Sequence, residues 1–251
     1  MEISVKQRSM TCITGIWCVV LVLLVLGHTV NADEKCPKDA NEHLGGKSDP
    51  AALDANDPNE LWWSRWDAFV KDPNDPNKLL EAKWHAIVTV LRNKNLDQKL
   101  KEKIIDKINS PIFDSPLMAK LALGREHWAK LNEQQRDKFT QLFVDRLNIF
   151  YLEKITHYKD EKVLFKPAMQ KKNTIHIPVV LISNDKEVTI LYKLHKMGEH
   201  CKNKMNECWK IYDVEVQGVS ILLTYRSQFD DILNRGGVKE LFFQLEEPPT
   251  E

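Results

Sequence analysis

The spacing of apolar residues changes at Gly218, and this change limits the possible folds more than any other feature of the sequence. Before it, Tyr212, Val214 and Val216 alternate with polar residues, which is typical of a strand with one buried face. After it, apolar residues within 219–233 recur at helical spacing. A strand and an amphipathic helix therefore meet at one corner. The pattern predicts an α+β domain in which a helix packs on a sheet.

The rest of the chain separates into a helical part and a strand part. Helical periodicity dominates from about residue 75 to 158, with Asn95 and Asn132 as predicted N-caps. Period-two alternation then predicts four strands, at residues 161–167, 173–183, 187–197 and 207–217. Pro178 lies inside the second of them and indicates a bulge or a partly unpaired edge. The last long helix is predicted to end at Gly236-Gly237, before a short closing helix.

The N-terminus has the features of a secretory signal peptide. Lys6 and Arg8 precede an apolar run at residues 16–26, and small residues follow at 30–32. We predict a signal peptide over residues 1–32. An uncleaved membrane anchor is the alternative, because the apolar run also extends back to Met10.

Two segments are expected between the signal peptide and the folded domain. Residues 33–60 are polar and turn-rich and predict a flexible leader. Residues 61–75 form a Trp-rich helix and linker with Trp62, Trp63 and Trp66. This segment fits either a contact with a membrane or partner, or a short helix packed on the domain.

Export would place the remaining cysteines in an oxidising compartment. Cys201 and Cys208 lie between two predicted strands whose ends would meet, so we expect a disulfide across this hairpin. It would contribute about 2–3 kcal/mol by the chain-entropy estimate. Zinc is the alternative because His195 and His200 are nearby, although neither CxxC nor HxxxH spacing occurs. Cys36 has no assigned partner.

Composition and motifs give little support for catalysis or nucleic-acid binding. The chain has 36 basic and 36 acidic residues, which gives no reason to expect a nucleic-acid partner. It contains no HExxH, no GxSxG, no complete phosphate-binding loop and no dinucleotide fingerprint. We expect no enzymatic activity, cofactor or metal. An enzyme remains an alternative, since an α+β cone can hold a buried acid–base pair that leaves no linear motif.

Two segments closely resemble the MlaC family, whose members are also called toluene-tolerance or Ttg2-type auxiliary components of an ABC transporter. The C-terminal segment, WKIYDVEVQGVSILLTYRSQF, matches through Trp209, Lys210, Tyr212, Asp213, Gly218, Val219, Ser220, Tyr225, Arg226 and Phe229, with Gln217 in place of the usual Glu. The upstream segment, MAKLALGREHWAKLNEQQRDKFTQLF, matches through Leu123, Gly124, Arg125, Trp128, Gln134 and Phe139. The resemblance runs from about residue 76 to 245.

The resemblance implies a fold and a function. The implied fold is a helical layer on a curved four-stranded antiparallel sheet, similar to the nuclear-transport-factor-like cone, with an apolar cavity. The implied domain covers residues 76–247. Family members carry phospholipid across the periplasm between an outer-membrane lipoprotein–porin complex and an inner-membrane ABC transporter. We therefore expect a periplasmic phospholipid-binding shuttle that serves outer-membrane lipid asymmetry, with lipid as cargo and these two complexes as partners.

The cavity would be lined by the inward-facing residues of the predicted strands and helices. These lipid-binding candidates are Phe139, Phe143, Ile175, Ile177, Val179, Leu181, Ile190, Tyr192, Tyr212, Val214, Val216, Leu222, Leu223, Tyr225 and Arg226. Arg226 interrupts the apolar stripe of the last helix, where it would either meet a lipid phosphate at the rim or form an ion pair with Asp213 or another carboxylate.

Three alternatives to the phospholipid shuttle stay open at this point. One is a carrier of another lipid such as a hopanoid. A second is an enzyme that acts on a small apolar substrate in the same cone. A third is a protein-interaction module tethered by an uncleaved N-terminus.

Overall fold

The computed structural model describes residues 75–155, 158, 161–183, 186–198 and 208–247. The predicted signal peptide, the leader and the Trp-rich segment up to residue 74 lie outside these residues, as do Cys36, His200 and Cys201. Their assignments stay predictions. Within the described part of the chain, no helix combines the length and apolarity needed to cross a bilayer.

Six α-helices and six strands make up the described domain. The helices are α1 (Pro76–Arg92), α2 (Gln98–Asn109), α3 (Ser115–Leu123), α4 (Arg125–Lys130), α5 (Glu133–Ile155) and α6 (Ile221–Glu246), with a 3₁₀ turn at Ser110–Ile112. The strands are β1 (Lys162–Phe165), β2 (Met169–Lys171), β3 (Thr174–Ser183), β4 (Lys186–Lys196), β5 (Trp209–Val216) and β6 (Val219–Ser220). The predicted α+β class is confirmed, and two short strands join the four that were predicted.

Side-chain caps explain where several helices begin. Asn132 accepts a hydrogen bond from the backbone N–H of Gln135, whose side chain accepts one in return from the N–H of Asn132. This reciprocal capping box starts α5 at the predicted position. The prediction for α2 was wrong by two residues, because Asp97 rather than Asn95 accepts from the N–H of Leu100. Gly237, with φ of 68°, bends α6 close to the predicted break.

The sheet is antiparallel throughout, with strand order β1-β3-β4-β5-β6 and β2 paired to β3. Pro178 lies in β3, which is paired on both sides. Because proline has no N–H, Pro178 cannot donate to the carbonyl of Lys166, which lies just after the end of β1. The carbonyl of Pro178 still accepts from the N–H of Lys166. The carbonyl of Lys166 accepts instead from the side-chain amide of Asn77 in α1. The missing strand bond is thus replaced by a bond from a helix.

Two apolar clusters form most of the core around the sheet and the last helix. The sheet cluster joins α1 and the 3₁₀ turn to β3, β4 and β5, through Leu79, Leu80, Ile112, Ile177, Val179, Leu194, Trp209 and Ile211. The helical cluster joins α3, α5 and α6, through Met118, Ala119, Ala122, Leu123, Leu131, Phe139, Phe143, Leu222, Phe229 and Leu241. Phe113 packs against both clusters. The core is therefore divided between a helix-on-sheet part and a helix-on-helix part.

Candidate functional site

One face of the three long strands carries most of the predicted lipid-binding residues. The register places Ile177 opposite Tyr192, and Tyr192 opposite Val214. Val179 lies opposite Ile190 in the same way. Directly opposed residues project to the same side of a sheet. The sequence-predicted strand residues are therefore brought together on one apolar face, with the exception of Tyr212.

This apolar face is only partly covered. Ile177 and Val179 are buried beneath α1 and the 3₁₀ turn. Six of the predicted residues on the face remain half-buried, namely Ile175, Leu181, Ile190, Tyr192, Val214 and Val216. Because β4 has strands on both sides, a close-packed helical layer would bury the inward side chains at its centre completely. The half-buried residues thus form a continuous apolar surface on the sheet that the helices leave incompletely covered.

Tyr212 lies apart from this surface. The β4–β5 register shifts between Lys193 and Leu194, so that Asp213 faces Lys193 while Ile211 faces Leu194. Tyr212 is the extra residue of this bulge, and its ring contacts His195, with the ring centroids 5.9 Å apart. The predicted alternation of Tyr212 with Val214 and Val216 is therefore wrong at Tyr212. Ile211 and Trp209 take its place in the sheet cluster.

The predicted helical residues do not join the strand residues in one group. Phe139 and Phe143 are buried in the helical cluster, where both contact Phe229 edge to face. Leu222 is buried with them, and Tyr225 packs edge to face on Phe143. Leu223 is 60% exposed. The structure thus assigns Phe139, Phe143, Leu222 and Tyr225 to helix packing, and their contact with lipid stays a prediction.

The corner between β5 and α6 is a tight hairpin rather than a direct passage from strand to helix. Gln217 and Gly218 both have positive φ, 51° and 80°, and Val216 pairs with Val219 across them. Two successive positive φ values are typical of a type I′ turn, whose twist suits a two-residue hairpin. The predicted sharp turn at Gly218 is confirmed, and Gln217 shares the turn with it.

Asp213 connects this corner to the sheet. Its carboxylate is buried and accepts from the hydroxyl of Ser220 (2.8 Å to Oδ2) and from Lys193 Nζ (3.0 Å). Ser220 is the N-cap of α6 and accepts from the N–H of Leu223. Lys193 also pairs with Glu215. The first turn of α6 is thus fixed to β4 and β5 through one buried carboxylate.

Arg226, which interrupts the apolar stripe of α6, binds a backbone carbonyl group rather than a carboxylate. Its Nε and Nη2 both donate to the carbonyl of Leu121, with an Nε–O distance of 3.0 Å. Leu121 lies in the last turn of α3, where carbonyl groups lack helical partners. The expected ion pair with Asp213 was wrong, and Arg226 forms no ion pair with any other described residue. Its guanidinium stabilises the end of α3, and contact with a lipid phosphate stays a prediction.

Sequence reasoning did not include Tyr151 of α5 among the candidates. Tyr151 is half-buried, and burial together with the nearby Tyr192 raises the pKa of its hydroxyl well above the usual range. Burial also raises the pKa of Tyr192, to about 12. Tyr192 of β4 thus lies close enough to Tyr151 of α5 to influence its ionisation. The four-residue spacing of Phe143, Leu147, Tyr151 and Ile155 was the available signal.

Other polar pairs offer less chemistry. His195 Nε2 lies 2.8 Å from Asp114 Oδ2, and the other oxygen of that carboxylate caps α3 by accepting from the N–H of Leu117. This arrangement fixes α3 against β4. Among the described residues, no three side chains of His, Cys, Asp or Glu come close enough to hold a metal ion. Cys208 is buried at the start of β5, but its predicted partner Cys201 lies outside the described residues.

Comparison with known proteins gives a consistent result. The family model described as "MlaC protein" matches residues 82–247, which is more than half of the chain. The intermembrane phospholipid transport system binding protein MlaC of Haemophilus influenzae is 27% identical over 128 residues, 50% of this chain and 58% of that protein. The toluene tolerance protein ttg2D of Pseudomonas putida is 24% identical over 136 residues, 53% of this chain and 59% of that protein. The matches thus span somewhat over half the length of these relatives.

A solved structure shares the fold. It is the phospholipid-binding protein from Ralstonia solanacearum, determined in complex with a phospholipid. The TM-score is 0.58 at 20% sequence identity, and the match covers 68% of this chain and 94% of that one. At this identity the likeness concerns the arrangement of helices and strands.

Proposed function

Because the chain belongs to the MlaC family, we propose that it binds a phospholipid and carries it between membranes. The observation that carries this proposal is the half-buried apolar surface on β3, β4 and β5. Two acyl chains contain on the order of 30 methylene groups, and exposing them to water would cost roughly 24 kcal/mol at about 0.8 kcal/mol each. A carrier must therefore supply an apolar surface inside the protein. The Ralstonia solanacearum protein, which shares the fold, was determined in complex with a phospholipid, and this supports the proposed cargo.

The setting of the proposed transport follows from the sequence and the family. We place the protein in the periplasm, after export by the predicted signal peptide, and expect the Cys201–Cys208 disulfide to form there. The proposed partners are an inner-membrane ABC transporter and an outer-membrane lipoprotein–porin complex. The protein itself would hold and release cargo, without a cofactor and without catalysing a reaction.

Lipid extraction tests the proposal directly. Protein purified without detergent should release close to one diacyl phospholipid per chain into organic solvent, measured by mass spectrometry. Protein stripped of lipid should take up phospholipid from vesicles. If the purified protein holds no lipid and the stripped protein takes none, the proposed function is wrong.

A matched pair of variants assigns the binding to the apolar surface. Val214→Glu places a charge on that surface, and an unpaired charge is excluded from an apolar contact. Thr189→Glu places the same charge on β4, at an exposed position that faces away from the surface. We expect Val214→Glu to lose most of its lipid and Thr189→Glu to keep it, with the folded state of both checked by circular dichroism.

A further inference from the structure

Tyr192 brings a hydroxyl group to the apolar surface of the sheet, and Tyr151 of α5 lies near enough to interact with it electrostatically. Tyr192 lies at the centre of β4, with Ile177 and Val214 as its cross-strand neighbours. Tyr151 lies one helical turn after Leu147 and one turn before Ile155 on α5. One tyrosine thus comes from the helical layer and the other from the sheet.

Neither hydroxyl has a hydrogen-bond partner in the part of the chain that the structure describes. Asp213, by contrast, accepts from Lys193 and Ser220. Neither oxygen is among the fully buried polar atoms that lack a partner, so each hydroxyl can donate a hydrogen bond to an acceptor on a ligand. Both rings are half-buried, so they retain accessible surface for contact with a ligand. Burial raises the pKa of each hydroxyl, which keeps both protonated and able to donate near neutral pH.

A phospholipid has suitable acceptors between its two acyl chains and its head group. Each acyl chain is joined to glycerol by an ester, whose carbonyl oxygen accepts hydrogen bonds. A dialkyl ether lipid of the same shape has the same chains and head group but lacks both carbonyls. Two donors within reach of these carbonyl groups would therefore distinguish the two linkages.

We propose that Tyr151 and Tyr192 donate hydrogen bonds to the ester carbonyl groups of the bound phospholipid, and that they select ester-linked over ether-linked lipid. The inference rests on the proposed phospholipid binding and adds a specificity to it. Phe139 and Phe143, which face the helical cluster, provide no such donors.

A competition between matched lipids tests the assignment. Protein stripped of lipid is incubated with vesicles that contain equal amounts of diacyl and dialkyl phosphatidylcholine with the same chain length. The lipids taken up are then extracted and their ratio is measured by mass spectrometry. Each hydrogen bond should favour the diacyl lipid about fivefold. The double variant Tyr151→Phe/Tyr192→Phe should take up lipid in a ratio close to one.

Tyr158→Phe is the control, because the Tyr158 hydroxyl already donates to the carbonyl of Glu161 within the protein. This variant should keep the wild-type ratio. If the double variant does not fold, the single variant Tyr192→Phe should lower the ratio about fivefold. If the wild type takes up lipid without a preference, or if the preference survives in the tyrosine variants, the assignment to the tyrosines is wrong. Either result leaves the proposed phospholipid binding intact. Absence of any uptake by the wild type overturns the phospholipid function as well.

Discussion

Replacing Arg226 by Ala would separate its structural role from a role in lipid binding. The guanidinium donates two N–H groups to the carbonyl of Leu121 and thereby connects α6 to the end of α3. A hydrogen bond to a charged group contributes about 1.5–3 kcal/mol net. Because both N–H groups share one acceptor, we count a single contribution of about 2 kcal/mol. For a domain of this size, that corresponds to a melting temperature lower by about 4–8 °C.

Urea denaturation followed by circular dichroism would measure this loss, and lipid extraction from the folded fraction would measure occupancy. Arg235→Ala is the matched control, since Arg235 lies on the same helix and, among the described residues, bonds to the nearby Asp231 carbonyl on the surface. It should change the free energy of unfolding by less than about 0.5 kcal/mol. Arg226→Ala should retain its lipid. Unchanged stability combined with loss of lipid would refute the structural role and favour the phosphate contact.

Two further predictions concern the hairpin and the outer face of the sheet. Gly218→Ala should cost about 1–2 kcal/mol in urea denaturation, because φ is +80° and a Cβ would meet no neighbour within 4 Å, so the cost is conformational. Gly198→Ala, which also has open space but no positive φ, should be nearly neutral, and equal effects of the two would contradict this explanation. In the folded protein, the pKa of His176 is lowered by burial and then by Lys171 and Lys193. The unfolded chain, with the ordinary histidine pKa of about 6.5, therefore takes up a proton at a higher pH than the folded protein does. Stability should fall as the pH drops below about 6.5. His176→Gln should lose less stability than the wild type between pH 7.5 and pH 5.5, and identical losses would argue against this assignment.

Features that depend on nearby residues were predictable from the sequence. The capping box at Asn132 and Gln135 is a local pattern, and the structure confirms it. The positive φ at Gly218 could be expected, because the spacing of apolar residues changes there from strand alternation to helical spacing and the residue is a glycine. The alternation of apolar residues also identified which strand residues share a face, because a side-chain period of two leaves only two choices.

Features that depend on distant residues could not be predicted from the sequence. The bulge that moves Tyr212 off the apolar face is set by pairing with β4, and the alternation in β5 gives no sign of it. The partner of Arg226 is a backbone carbonyl 105 residues earlier, and every residue has such a carbonyl. The division of the core into two clusters was missed for the same reason, since Phe139 and Val214 are equally apolar in sequence.

The helical cluster is assembled from segments that lie far apart in the order of synthesis. Phe139 and Phe143 belong to α5, whereas Phe229 and Leu241 belong to α6, and the whole sheet is made between them. Arg146 of α5 also donates to the carbonyls of Gln244 and Glu247, near the end of the described chain. Contacts of such long sequence separation form slowly during folding. A chain that has emerged only as far as β5 therefore exposes aromatic rings. A truncation after Val216 should bind more of a hydrophobic dye than the full chain loaded with lipid does. The aromatic rings of the helical cluster therefore stay exposed, and prone to aggregation, until the last helix has been made.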